Sequence, residues 1–111
     1  KYYFKEEEHK IIDTEHSFLE YVKLSGDFEE KKIDSILVTC APHSPKTEYE
    51  PHDGEEFIYV LEGEATIEVD QTVYKVKKGE TIHYPSTLRH TLQNHGDTKM
   101  KIIATVTQRL F

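Results

Sequence analysis

Short runs of alternating apolar and polar residues dominate the second half of this chain. Ala65, Ile67 and Val69 fall on one side of an extended segment, and Thr66, Glu68 and Asp70 fall on the other. A period of two describes a half-buried strand, whereas a helix would bring its apolar residues back every three or four positions. Residues 73–76 resume the habit after Asp70-Gln71-Thr72, which reads as a hairpin turn. Ile82 and Tyr84 alternate with Thr81 and His83, and residues 100–106 form a run rich in β-branched side chains. Turn signals stand at Asp53-Gly54, Glu62-Gly63, Lys78-Gly79, Pro85-Ser86 and Asn94-His95-Gly96-Asp97. Strands of this length between turns about 8–12 residues apart predict an all-β sandwich or barrel.

The first half is less regular. Tyr2-Tyr3-Phe4 reads as an edge strand, Glu6-Glu7-Glu8 as a solvated turn, and residues 17–24 as a strand or a short helix. Pro42, Pro45 and Pro51 make residues 42–51 an irregular connection and exclude a central strand there, because proline lacks the donor that a ladder needs.

With 111 residues, one domain with a real core is the upper bound. The single cysteine, Cys40, rules out an internal disulfide, and its place in Ser35-Ile36-Leu37-Val38-Thr39-Cys40-Ala41 suits a small core residue. No run approaches the roughly 20 apolar residues of a membrane span, and no signal peptide is present, so the expected setting is the cytoplasm with no membrane partner. The net charge of −7 argues against this segment gripping a phosphate backbone. The charge is also uneven. Residues 1–70 hold 19 acidic and 7 basic residues, and residues 71–111 hold 2 acidic and 7 basic. Such asymmetry marks two surfaces, or it cancels where early and late strands pair.

Three side chains suggest chemistry. His52 and Glu56 share parity on an extended chain, so both can face the same way. Glu56 opens the apolar run Phe57-Ile58-Tyr59-Val60-Leu61, where an inward carboxylate needs a cation or a hydrogen-bond donor. His90 follows 34 residues later. Two imidazoles and a carboxylate with open positions suit a divalent transition metal such as Fe, Mn, Ni or Zn. Against this stands the abundance of candidates, because seven histidines supply many chance trios of surface residues.

The spacing of these residues resembles that of the cupin family. Its first motif is met by His52, three residues, Glu56, six residues and Gly63. Its second is met by Gly79, five residues, Pro85, then His90, three residues and Asn94. Ser44 stands where the motif opens with glycine, Glu50 where it has its first histidine, and Thr87 where it has its second-motif glycine. The resemblance implies a double-stranded β-helix, a small jelly-roll barrel with a metal inside. Residues 1–32 would then supply N-terminal strands and turns packed on the barrel or on a dimer partner, and residues 33–111 the barrel, as one domain overall. The implied ligands are His52, Glu56 and His90. Glu50 either joins them or turns away. The three-ligand form resembles hydroxypropylphosphonate epoxidase, a non-haem iron cupin, and an empty pocket used for sensing is a further alternative.

Residues 53–63, with residues 79–85, look like the C-terminal cupin of Xre-type helix-turn-helix regulators. That likeness implies a homodimeric domain that senses a small-molecule effector, with DNA bound only through an upstream domain absent from these residues. A metal-dependent oxygenase, epoxidase or isomerase is the competing class. An enzyme needs groups beyond its ligands, and His83, Tyr84 and Arg89 are the nearby candidates. Parity turns Tyr84 inward, toward a bound ligand, and His83 outward. Arg89 directly precedes His90 and is expected to face away. Polar groups near the triad then look sparse, and this favours sensing over catalysis.

Overall fold

The computed structural model describes residues 1–107. After a 3-10 turn at Glu6–Glu8 the chain forms ten strands. They are β1 (Lys10–Ile12), β2 (Leu19–Lys23), β3 (Asp34–Cys40), β4 (Thr47–Tyr49), β5 (Glu55–Glu62), β6 (Glu64–Val69), β7 (Thr72–Lys77), β8 (Thr81–Pro85), β9 (His90–Gln93) and β10 (Met100–Val106). Strands β1-β2-β3-β10-β5-β8 make a six-stranded sheet, and β4-β9-β6-β7 a four-stranded one. All the pairings are antiparallel.

In β3 and β10 every second residue is buried, as their alternation requires. Their inward side chains meet those of β5, β6 and β9 in one core that includes Val38, Val60, Ala65, Ile67, Leu92 and Ile102. Full burial of each large aliphatic side chain contributes roughly 1.5–3 kcal/mol. The fold is all-β and jelly-roll-like, but among the described residues no ladder joins the two sheets. The expected closed barrel is therefore an open sandwich, held across the gap by side chains.

Gly63 makes the corner where β5 of one sheet hands over to β6 of the other. Its φ is +74°, and a Cβ there would sit 3.0 Å from the Lys99 carbonyl oxygen. Both the conformation and the space demand glycine. The β6–β7 hairpin turns at Asp70 and Gln71, with φ of 48° and 72°. Two successive left-handed residues between Val69 and its partner Thr72 match the twist of the flanking strands.

Two sequence expectations need correction. Tyr2-Tyr3-Phe4 forms no strand, and pairing begins only at Lys10. Tyr2 instead packs edge-on against Phe28, at 6.0 Å between ring centres. The turn at Glu6–Glu8 diverts the chain before an edge can be joined. Within residues 42–51 the three-residue strand β4 does form, at the edge of the smaller sheet, between Pro45 and Pro51. An edge strand this short fits between the prolines without losing a ladder bond.

Two buried polar residues pin loops to this frame. Asp34 is fully buried and accepts bonds from Lys31 Nζ at 2.7 Å and Ser25 Oγ at 3.0 Å. Asn94 donates through Nδ2 to the carbonyls of Cys40, Ala41 and Thr98 at 2.9–3.2 Å. Its backbone N–H donates to Ser44 Oγ at 2.9 Å, so the serine at that motif position has a bond that glycine would lack. Thr87 is exposed and has no left-handed backbone, so its turn has no need of glycine. The charge asymmetry falls partly across ladders. Lys77 lies opposite Glu64, and Lys101 opposite Glu62.

Candidate metal centre

The site draws on both sheets. Glu56 stands on β5, directly opposite Tyr84 on β8. His90 opens β9, opposite Tyr49 on β4 and Val69 on β6. His52 lies in the loop before β5. Its N–H donates to the Ser86 carbonyl at 3.0 Å, and the Ser86 N–H donates to the Gly54 carbonyl at 2.9 Å. This bracket fixes the loop that carries His52 to the end of β8.

One ligand-type atom from each of His52, Glu56 and His90 lies within 4.8 Å of the others. His90 Nε2 is 3.6 Å from Glu56 Oε1. Two atoms that bind one ion at about 2.1 Å lie about 3.0–4.2 Å apart, depending on the angle at the ion. The observed separation falls within that span. His90 is 3% exposed, and its Nδ1–H donates to the Leu88 carbonyl at 2.8 Å. That bond sets the ring so that Nε2 faces the carboxylate, the usual support for a metal-binding imidazole. Tyr84 donates its hydroxyl to Glu56 Oε2 at 2.9 Å, leaving Oε1 for an ion. The His/Glu/His cluster is thus capable of coordinating a divalent metal ion.

The cluster sits at one end of a cavity of about 400 Å³. Ile36, Val38, Ile58 and Ile102 of the larger sheet and Ile67 and Leu92 of the smaller wall it. Tyr21 and Tyr49 line it too, and their hydroxyls are 2.7 Å apart. The Tyr49 ring stacks on His90, with 5.7 Å between centres and 14° between planes. Burial pushes the phenols of Tyr49, Tyr84 and Tyr21 above their ordinary value, and the Glu56 charge adds to the rise at Tyr84. All three therefore keep their protons.

Glu50 lines the cavity but is exposed and outside the three-residue cluster. His83 is exposed and pairs with Glu55 at 2.8 Å, and Arg89 is also exposed. Cys40 is buried, and desolvation raises its thiol, so it behaves as a core residue. Sequence reasoning passed over Tyr21 and Tyr49. The available signal was parity. Tyr21 faces Val38 across the ladder, and Val38 points into the core.

An all-β sandwich with a metal-capable cluster in an apolar cavity defines the class. The chain belongs to the Cupin domain family, which matches residues 36–106. It is 30% identical over 105 residues to an uncharacterized protein of Methanocaldococcus jannaschii, covering 85% of this chain and 84% of that one. Among solved structures it is similar to the cupin domain of an XRE family transcriptional regulator from Enterobacter cloacae. There the TM-score is 0.77 at 17% identity, with 84% of this chain and 99% of that chain covered. It is also similar to hydroxypropylphosphonic acid epoxidase from S. wedmorenis, with a TM-score of 0.78 at 19% identity, covering 93% of this chain and 57% of that one. The fold is thus shared by regulatory and enzymatic cupins. No helix among the described residues is long and apolar enough to cross a membrane.

Proposed function

We propose that this chain is a metal-dependent cupin enzyme of the non-haem oxygenase, epoxidase or isomerase type, acting on a small and largely apolar molecule. The observation that carries the reading is the oriented His52, Glu56 and His90 cluster at the end of an apolar cavity. Two imidazoles and one carboxylate are the donor set of oxygen-activating iron sites. The bound metal would supply Lewis acidity or oxygen activation. The chain's own residues do the rest. Tyr84 holds Glu56, and the Leu88 carbonyl holds His90. The aliphatic walls exclude water. The paired Tyr21 and Tyr49 hydroxyls carry two protons and share one, so the second is free to bond an acceptor atom of the substrate. With these hydroxyls counted, polar groups around the triad are less sparse than the sequence implied, and the balance moves from sensing toward catalysis. Glu50 stands at the cavity as a rim carboxylate in the three-ligand form.

Metal analysis of the purified protein tests the site. His52→Ala and His90→Ala are expected to lose the metal, and unchanged metal content in both variants sinks the reading. Oxygen uptake by the iron-loaded protein, screened with small apolar compounds, tests the oxygenase form, and Glu56→Ala is its negative control.

A second reading rests on residues 53–63 and 79–85 and their likeness to Xre-type sensors. There the same cavity takes an effector, and a ligand that binds one conformation better shifts the DNA-binding state of a longer regulator. Effector-dependent DNA binding by the product of the full reading frame, with no turnover of the compound, selects this reading over the enzyme.

A further inference from the structure

The cavity beside the metal-capable cluster carries charge of one sign. Beyond the three cluster residues its polar lining is Asp13, Tyr21, Tyr49, Glu50, Tyr84 and Thr91. Among the described residues no lysine or arginine lines it. Asp13 and Glu50 are exposed although they line the cavity, so they stand at its mouth. The strands put them there. Asp13 directly follows Ile12, the last residue of β1, and Glu50 directly follows Tyr49, the last of β4. Ile12 and Tyr49 both line the cavity, so the chain leaves its wall at these two carboxylates. Neither has an ion-pair partner among the described residues.

Three properties of this cavity act on a ligand. Its aliphatic walls favour apolar surface and penalise a charge that must leave its water. The Tyr21 and Tyr49 pair has a spare proton, which suits an acceptor oxygen. The two mouth carboxylates repel an approaching anion and leave an uncharged molecule unaffected. A bound divalent ion would not reverse the sign. Its two charges less that of Glu56 leave +1 at the cluster, and Asp13 and Glu50 contribute −2, so the lining sums to −1. The mouth carboxylates bind nothing in this scheme. They set the potential at the entrance of a cavity that the two sheets already build.

We propose that the cavity selects an uncharged, mainly apolar molecule with an acceptor oxygen, such as a ketone, an amide or an ether, and rejects its carboxylate and phosphate counterparts. Asp13 and Glu50 are the specificity-determining residues. The inference rests on the reading that a small molecule binds in this cavity, and it names the chemical class that the enzyme and the sensor form would both take. Desolvation by the walls disfavours an ion of either sign, whereas the mouth carboxylates act against anions alone. The second effect is therefore the one that substitution at Asp13 and Glu50 removes.

Titration calorimetry of the full chain with benzamide and benzoate tests it, because the two probes share a shape and differ in charge. Benzamide is expected to bind at low salt, and benzoate about tenfold more weakly. Asp13→Asn combined with Glu50→Gln should strengthen benzoate about fivefold and leave benzamide as it was. Asp13→Asn alone should give part of that gain with metal content unchanged, since Asp13 lies outside the cluster. Raised salt should narrow the gap more in the wild type than in the double variant. Equal affinities in the wild type overturn the inference, and so does a gap that the double variant leaves untouched. Binding of neither probe overturns it as well. Failure of the enzyme reading looks different, with metal absent or turnover undetected while the preference for benzamide persists.

Discussion

Tyr84→Phe separates a positioned carboxylate from one that merely lies near two histidines. The change keeps the ring, which is 6% exposed, and removes only the hydroxyl that donates to Glu56 Oε2 at 2.9 Å. A hydrogen bond to a charged group contributes about 1.5–3 kcal/mol. The Glu56 side chain is 13% exposed, so water replaces little of it. Metal-free Tyr84→Phe should therefore lose about 2 kcal/mol, or about 8 °C in Tm. Metal affinity should fall by about tenfold, the lower end for partners that orient a ligand. The reason is rotational freedom. Without the hydroxyl, the carboxylate is no longer held with Oε1 facing His90 Nε2. Two effects oppose each other, because losing a donor also makes the carboxylate more basic and so a better ligand. Competition titration against a chromogenic chelator gives the sign, and calorimetry of the metal-free protein gives the stability term. Affinity that is unchanged or raised, beside the expected loss of stability, would refute the positioning argument and leave Tyr84 as a cavity wall.

Asn94→Ala should cost about 3 kcal/mol in urea unfolding, because it leaves the carbonyls of Cys40, Ala41 and Thr98 without their shared donor. A loss under about 1 kcal/mol would mean that water takes its place. Alkaline pH should destabilise the protein more steeply than an exposed-tyrosine surface allows. Tyr49 and Tyr84 keep their protons in the fold, while the unfolded phenols ionise near pH 10. Above that value the unfolded state binds fewer protons, so stability is complete below about pH 10 and declines as pH rises. The slope is about 1.4 kcal/mol per pH unit for each phenol, and Tyr49→Phe should remove one such contribution from unfolding curves recorded at about pH 9 to 11.

The strands with clear alternation were legible because each carries its own burial pattern. Residues 65–69 and 100–106 need only a period of two to declare a face. Tyr2-Tyr3-Phe4 shows the limit of that logic. Aromatic residues favour strands, but an edge forms only where a neighbour offers a ladder, and the Glu6–Glu8 turn brings the chain in later, at Lys10. The open sandwich could not be read from periodicity either. Alternation says that a strand has two faces and says nothing of whether the outer edges of two sheets meet.

The grouping of His52, Glu56 and His90 into a metal-capable cluster was legible through spacing, and its surroundings were not. His52 and Glu56 are close in sequence, and a known motif supplies His90. Parity with the buried Leu19 could have turned Tyr21 inward, but its meeting with Tyr49 depends on pairings that join β2 to β3 and β4 to β9, across sequence separations that no local pattern records. Their effect on function is nevertheless direct. Without them the cavity is a mainly aliphatic pocket with a metal-capable cluster in its wall. With them it also presents a phenol proton to an acceptor atom of a bound molecule. A sensing pocket can use the same donor to fix its effector, so what separates the two readings is turnover of the bound molecule and not its pose.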